Sequence, residues 1–131
     1  MKHRTTLMIT SLLAVLLFSL HWADEISRGM ERGDLSSVGG IGILVVWASA
    51  ALLLPDRLLG LVILLLASIL GTGVPILHMS GAGFVGGRIP VNSPGVFFWV
   101  WVNLALAPIS ATAMFLSAYG LWRRIRRGPT D

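Results

Sequence analysis

Four apolar runs, each close to the length that crosses a bilayer, leave this chain very little choice of fold. They cover about residues 5–28, 37–54, 58–77 and 96–122. A helix needs ~20 apolar residues to cross ~30 Å of hydrocarbon. No water is present there to satisfy the backbone, so each run must bond within itself as a helix. The predicted fold is all-α: a polytopic membrane protein whose four transmembrane helices form an antiparallel bundle. With 131 residues there is room for a single domain. Only 12% of the residues are charged, about half the share usual in soluble domains, and the mean hydropathy of +0.82 agrees.

The connections set the topology. Residues 29–36 and 78–95 are read as outer loops, 55–57 as an inner turn and 123–131 as a basic C-terminal tail. Pro55-Asp56-Arg57 is too short for anything but a hairpin between neighbouring helices. With both termini inside, the inner segments hold Lys2, Arg4, Arg57, Arg123, Arg124, Arg126 and Arg127, and the outer ones Arg28, Arg32 and Arg88. That asymmetry predicts N-in, C-in. The first run has the basic start and apolar body of a signal peptide. His21, however, stands where a cleavage site before Asp24 would want a small residue. It is read as a retained helix that stops at Gly29.

A net charge of +4 and a pI near 11.2 raise the question of a nucleic-acid partner. The charge is concentrated in Arg123, Arg124, Arg126 and Arg127, directly after the last apolar run, where it reads as an anchor to anionic lipid headgroups. The expected partners are the lipid bilayer and other membrane subunits or a second copy, with no nucleic acid. Nine of the ten basic residues are arginine, which hints at a GC-rich bacterial source and so at the inner (cytoplasmic) membrane. The absence of cysteine excludes disulfides, thiolate metal sites and thiol redox chemistry. Gly81, Gly83 and Gly86 match G-x-G-x-x-G, but no strand precedes them and no helix opens from them, so no nucleotide or other cofactor is expected there.

Most of the ionisable chemistry lies at the end of the first run, in Leu20-His21-Trp22-Ala23-Asp24-Glu25-Ile26-Ser27-Arg28-Gly29. On a continuing helix, His21, Glu25 and Arg28 share one stripe with Asp24 at its edge. His78, at the outer end of the third run, lies at similar depth. His21, Asp24, Glu25 and His78 are therefore the candidate ligands of a divalent metal such as Zn²⁺, Fe²⁺ or Cu²⁺, or members of a proton-titrating cluster. The plainer alternatives are a solvated interfacial stripe with Glu25 paired to Arg28, or a structural polar network that includes Arg28 and Asn103.

Other positions carry packing expectations. Gly60, Ala67 and Gly71 share one face of the third helix, and Leu64 is expected to face lipid. Ala107, Ser110, Ala111 and Ala118 are expected to line a packing side of the fourth. Pro108 should kink that helix, with Thr112 bonding back to its carbonyl. Phe97, Phe98, Trp99 and Trp101 should form one aromatic belt, and Tyr119 with Trp122 the other. No charged residue lies in the core of any run, which argues against proton-coupled transport.

The block from Leu20 to Gly29, together with Pro75-Ile76-Leu77-His78-Met79, resembles uncharacterised small bacterial four-helix integral membrane proteins, and that resemblance implies no activity. On residues alone, the leading expectation is a non-enzymatic membrane protein, an accessory, assembly or interaction partner. The alternatives are a metal-binding membrane protein with an outer-face His/carboxylate site, and a small-molecule channel or carrier lined by Asn103 and the Pro108 kink.

Overall fold

The computed structural model of the chain describes residues 2–29, 38–80 and 94–127. These residues form four α-helices and no strand: α1 (Lys2–Ser27), α2 (Val38–Leu53), α3 (Leu58–Ser80) and α4 (Val96–Arg127). The fold is all-α. α1, α3 and α4 are long and apolar enough to cross a membrane. α2 is as apolar, but its 16 residues reach only about 24 Å, short of the ~30 Å core. Leu53, Leu59, Leu66 and Phe115 lie exposed on the outside of the helices. Water would penalise such a surface and lipid accepts it, which marks a membrane protein.

Several threonine hydroxyls inside the helices are satisfied locally. Thr6 and Thr10 donate to the carbonyls of Lys2 and Thr6, each at 2.9 Å, and Thr112 donates to the Pro108 carbonyl at 2.8 Å, as the sequence suggested. α1 closes where Gly29 takes a left-handed φ of 69°, a conformation that costs a side-chain-bearing residue energy.

The start of α1, the turn after α2 and the end of α4 meet at one end of the molecule. Pro55 has no N–H to continue α2, and the Arg57 amide donates to the Leu54 carbonyl at 3.0 Å. Gly60 makes this closure fit, since a Cβ there would lie 1.8 Å from the Leu54 carbonyl oxygen. Arg4 Nε sits 3.2 Å from Asp56 Oδ2, Arg124 donates to the Asp56 carbonyl, and the His3 and Tyr119 rings are 5.6 Å apart. Arg123 and Arg126 lie 5.7 Å and 4.2 Å over the rings of Tyr119 and Trp122. Arg32, Arg88 and the Gly81–Gly86 motif lie outside the described residues, as does the Arg127 side chain.

Midway along the molecule, Trp47 of α2 is fully buried against Gly71 of α3 and the Phe18 ring of α1. A Cβ on Gly71 would come within 2.5 Å of Ser110 Oγ and 2.8 Å of the Trp47 ring. Three helices approach closely here because Gly71 has no side chain. Leu64 is fully buried rather than lipid-facing. It lies four residues after Gly60 and seven before Gly71, on the same stripe, so the face that holds the glycines must hold Leu64 too. On α4 the buried stripe runs through Trp99, Val102, Asn103, Leu106, Ser110, Ala113 and Ser117. Of the small residues expected to line its packing side, only Ser110 is buried, and Ala118 is exposed.

Candidate metal centre

At the end opposite Asp56, the last turns of α1 and α3 and the first turns of α4 close around a polar cluster. α1 is helical through Ser27, so His21 and Glu25 project one turn apart from the same face. That is its buried face, shared with Leu7, Ser11 and Ala14. α3 runs on through Pro75 to Ser80, which places His78 in its last helical turn rather than in the following loop. His21, Glu25 and His78 keep only 2%, 2% and 7% of their surface exposed. A solvated interfacial stripe would leave them wet.

The three side chains converge. Glu25 Oε1 lies 3.5 Å from His21 Nε2 and 3.4 Å from His78 Nδ1. The two imidazole rings stand nearly perpendicular, 84° apart in plane, with centroids 5.0 Å apart. Each residue offers one donor atom, and the three atoms lie within 4.8 Å of one another. Charge-assisted hydrogen bonds run to about 2.7–2.9 Å, shorter than either contact. Donors on a tetrahedral ion with bonds of 2.0–2.1 Å stand about 3.3–3.4 Å apart. Two edges of the triangle already have that spacing, and the third, between the imidazoles, is no longer than 4.8 Å.

Asp24 is adjacent in sequence but turns elsewhere. Its Oδ2 accepts from Arg28 Nε at 2.7 Å. That bond holds the Arg28 guanidinium above its ordinary pKa, more firmly charged still. Arg28 also donates to the Pro94 carbonyl, tying the end of α1 to the residues that open α4. One acid of the pair serves the surface, and the other faces inward.

Asn103 supports the cluster from α4. It is fully buried; its Nδ2 donates to the Trp99 carbonyl at 2.9 Å and lies 3.3 Å from His21 Nδ1. Trp99 is buried as well, its ring 6.3 Å from that of His21 and 5.9 Å from that of His78. Phe97, Phe98 and Trp101 remain exposed as a belt should, but Trp99 leaves that belt to wall the site. Sequence reasoning missed this, although the signal was present: Trp99 precedes Asn103 by four residues and Leu106 by seven, on one helical stripe.

Two imidazoles and one carboxylate suit Zn²⁺, Fe²⁺ or Cu²⁺, whereas Ca²⁺ and Mg²⁺ favour all-oxygen shells. Three protein ligands on a four-coordinate ion leave one position for a molecule from outside. No protein-family model, curated protein or solved structure matches this chain.

Proposed function

We propose that the chain is a four-span protein of the bacterial cytoplasmic membrane that binds one divalent first-row transition-metal ion. His21, Glu25 and His78 hold it at the outer ends of α1 and α3. Both termini face the cytoplasm, following the excess of Lys and Arg in the termini and the 55–57 turn. Reporter fusions after Arg57 and after the C-terminus are expected to read cytoplasm.

One observation carries the metal reading: three buried donors from two helices converge at the spacing of ligands on a common ion. Asn103 supports the arrangement from outside the ligand set. Its amide lies beside His21 Nδ1, the ring nitrogen that ligation through Nε2 leaves free to be held by a neighbour. Held by Trp99 and His21, Asn103 is a brace rather than part of a channel lining. Gly60 and Gly71 are packed against Leu54, Trp47 and Ser110 of the same chain.

Metal analysis of tag-free protein incubated with Zn²⁺, Fe²⁺ or Cu²⁺ near neutral pH tests the reading. One ion per chain is expected, absent from the His21→Ala/His78→Ala double variant. No stoichiometric metal in the unaltered protein sinks it.

A further inference from the structure

The three donors form the polar end of a cavity of about 270 Å³ between α1, α2 and α3. The rest of its wall is apolar, built from Phe18, Trp22, Ile43, Leu70 and Val74 with the bare backbone of Gly40. Gly40 is required: a Cβ would lie 2.1 Å from the Trp22 ring, so only glycine lets that indole lie flat against α2.

The cavity does not end there. Ile43 and Leu70 also line a groove of about 530 Å³ between α2 and α3, which continues past Val46, Leu66 and Ala67. Among the described residues its lining carries no charged side chain. Ile43 and Leu70 are exposed on the flank of the helices, the surface that meets lipid. The combined track follows α3 from His78 to Ile63, fifteen residues or about 22 Å. That exceeds the ~15 Å hydrocarbon depth of one leaflet, half of the ~30 Å core, so a single acyl chain fits along it.

Charge decides the head of such a chain. A divalent ion with one carboxylate ligand keeps a net single positive charge, costly to leave buried and unbalanced. Among the described residues the lining of the cavity includes no Arg or Lys, and Arg28 is taken by Asp24 and Pro94. A phosphate head would carry more oxygen and charge than these residues can meet, whereas a lone carboxylate neutralises the ion and completes its coordination.

We infer that this is a binding site for a single-chain fatty carboxylate, drawn laterally from the bilayer, its head on the metal held by His21, Glu25 and His78 and its tail along the α2–α3 groove. The inference rests on the cation site proposed above.

The test uses the full chain in lipid nanodiscs, loaded with Co²⁺, whose visible spectrum reports its ligands. Acetate and octanoate are titrated separately. Octanoate is expected to change the spectrum at a concentration at least ~100-fold lower than acetate, because methylenes are buried along with the head. Octanoate also enters lipid by itself, so the deciding comparison is Val74→Phe, which fills the cavity next to the metal without touching a ligand. There the octanoate-to-acetate advantage is expected to fall about tenfold or more, with one cobalt per chain retained. If Val74→Phe fails to take up cobalt, Ala67→Phe in the groove is read the same way. An undiminished advantage in a cobalt-loaded variant, or no spectral change with octanoate in the unaltered protein, overturns the carboxylate site and leaves the cation site standing. Unaltered protein that takes up no cobalt overturns both.

Discussion

The two ends of this molecule use the same kinds of residue in opposite ways. At the Asp56 end, Arg4 and Asp56 pair at 3.2 Å while keeping 57% and 61% of their side-chain surface exposed. At the other end, Glu25 and the two histidines meet at similar distances with almost none. A wet pair is screened, and its net value is a fraction of a kcal/mol. A dry cluster must be matched internally, because any charge left alone there is destabilising. One end anchors, and the other is built to hold something. The contrast recurs within α1, where Asp24 faces Arg28 and Glu25, one residue later, faces inward.

Four changes would break or sharpen this contrast, in falling order of effect. Gly71→Leu, midway between the ends, forces a side chain into Trp47 and Ser110. It is expected to cost more than the usual 1–3 kcal/mol of overpacking, since backbone must move, and to lower the thermal midpoint in detergent well below that of the unaltered protein. An unchanged midpoint would show that the helix contact is misplaced.

Glu25→Gln should lose at least ~100-fold in metal affinity, whereas Asp24→Asn should keep the metal. The site has neutral imidazoles as ligands, so affinity should also fall once the pH is low enough to protonate them. Competition titrations with a chelator read both effects, and equal losses in the two acid variants would erase the distinction between inward and outward carboxylates.

A smaller gain is expected from Asn103→Asp. A carboxylate facing His21 Nδ1 accepts its proton better than an amide and should tighten metal binding by about tenfold. A loss in Asn103→Asp no different from that in Asn103→Ala would deny position 103 a part in holding His21. The least effect belongs to the wet end: Arg4→Ala should change stability by less than about 1 kcal/mol and leave metal binding untouched, as thermal unfolding and metal analysis would show.

Much of the fold was legible from hydropathy, because lipid forbids unsatisfied backbone and leaves few architectures. The ends of α1 and α2 follow from Gly29 and Pro55, whose backbone chemistry is local. The site was legible only as a set of residues. His21 and Glu25 sit one turn apart, and that spacing already implies a shared face. That His78 would join them required α3 to continue through Pro75, which neighbouring contacts support and local propensity opposes. Trp99 was taken for an interfacial aromatic, since its composition matches a belt and only its register against Asn103 and Leu106 argues otherwise.

The sequence by itself determined the class of molecule, the helices and the residues able to do chemistry, because these depend on side-chain polarity and on bonds within a few residues. Only the tertiary structure decided that Glu25 rather than Asp24 faces two histidines, that Leu64 is interior, and that an apolar track leads to the cluster. Each of these depends on the rotation of one helix against another. That rotation is set by where glycines allow close approach and where Trp47 fills the gap, and no single helix contains that information.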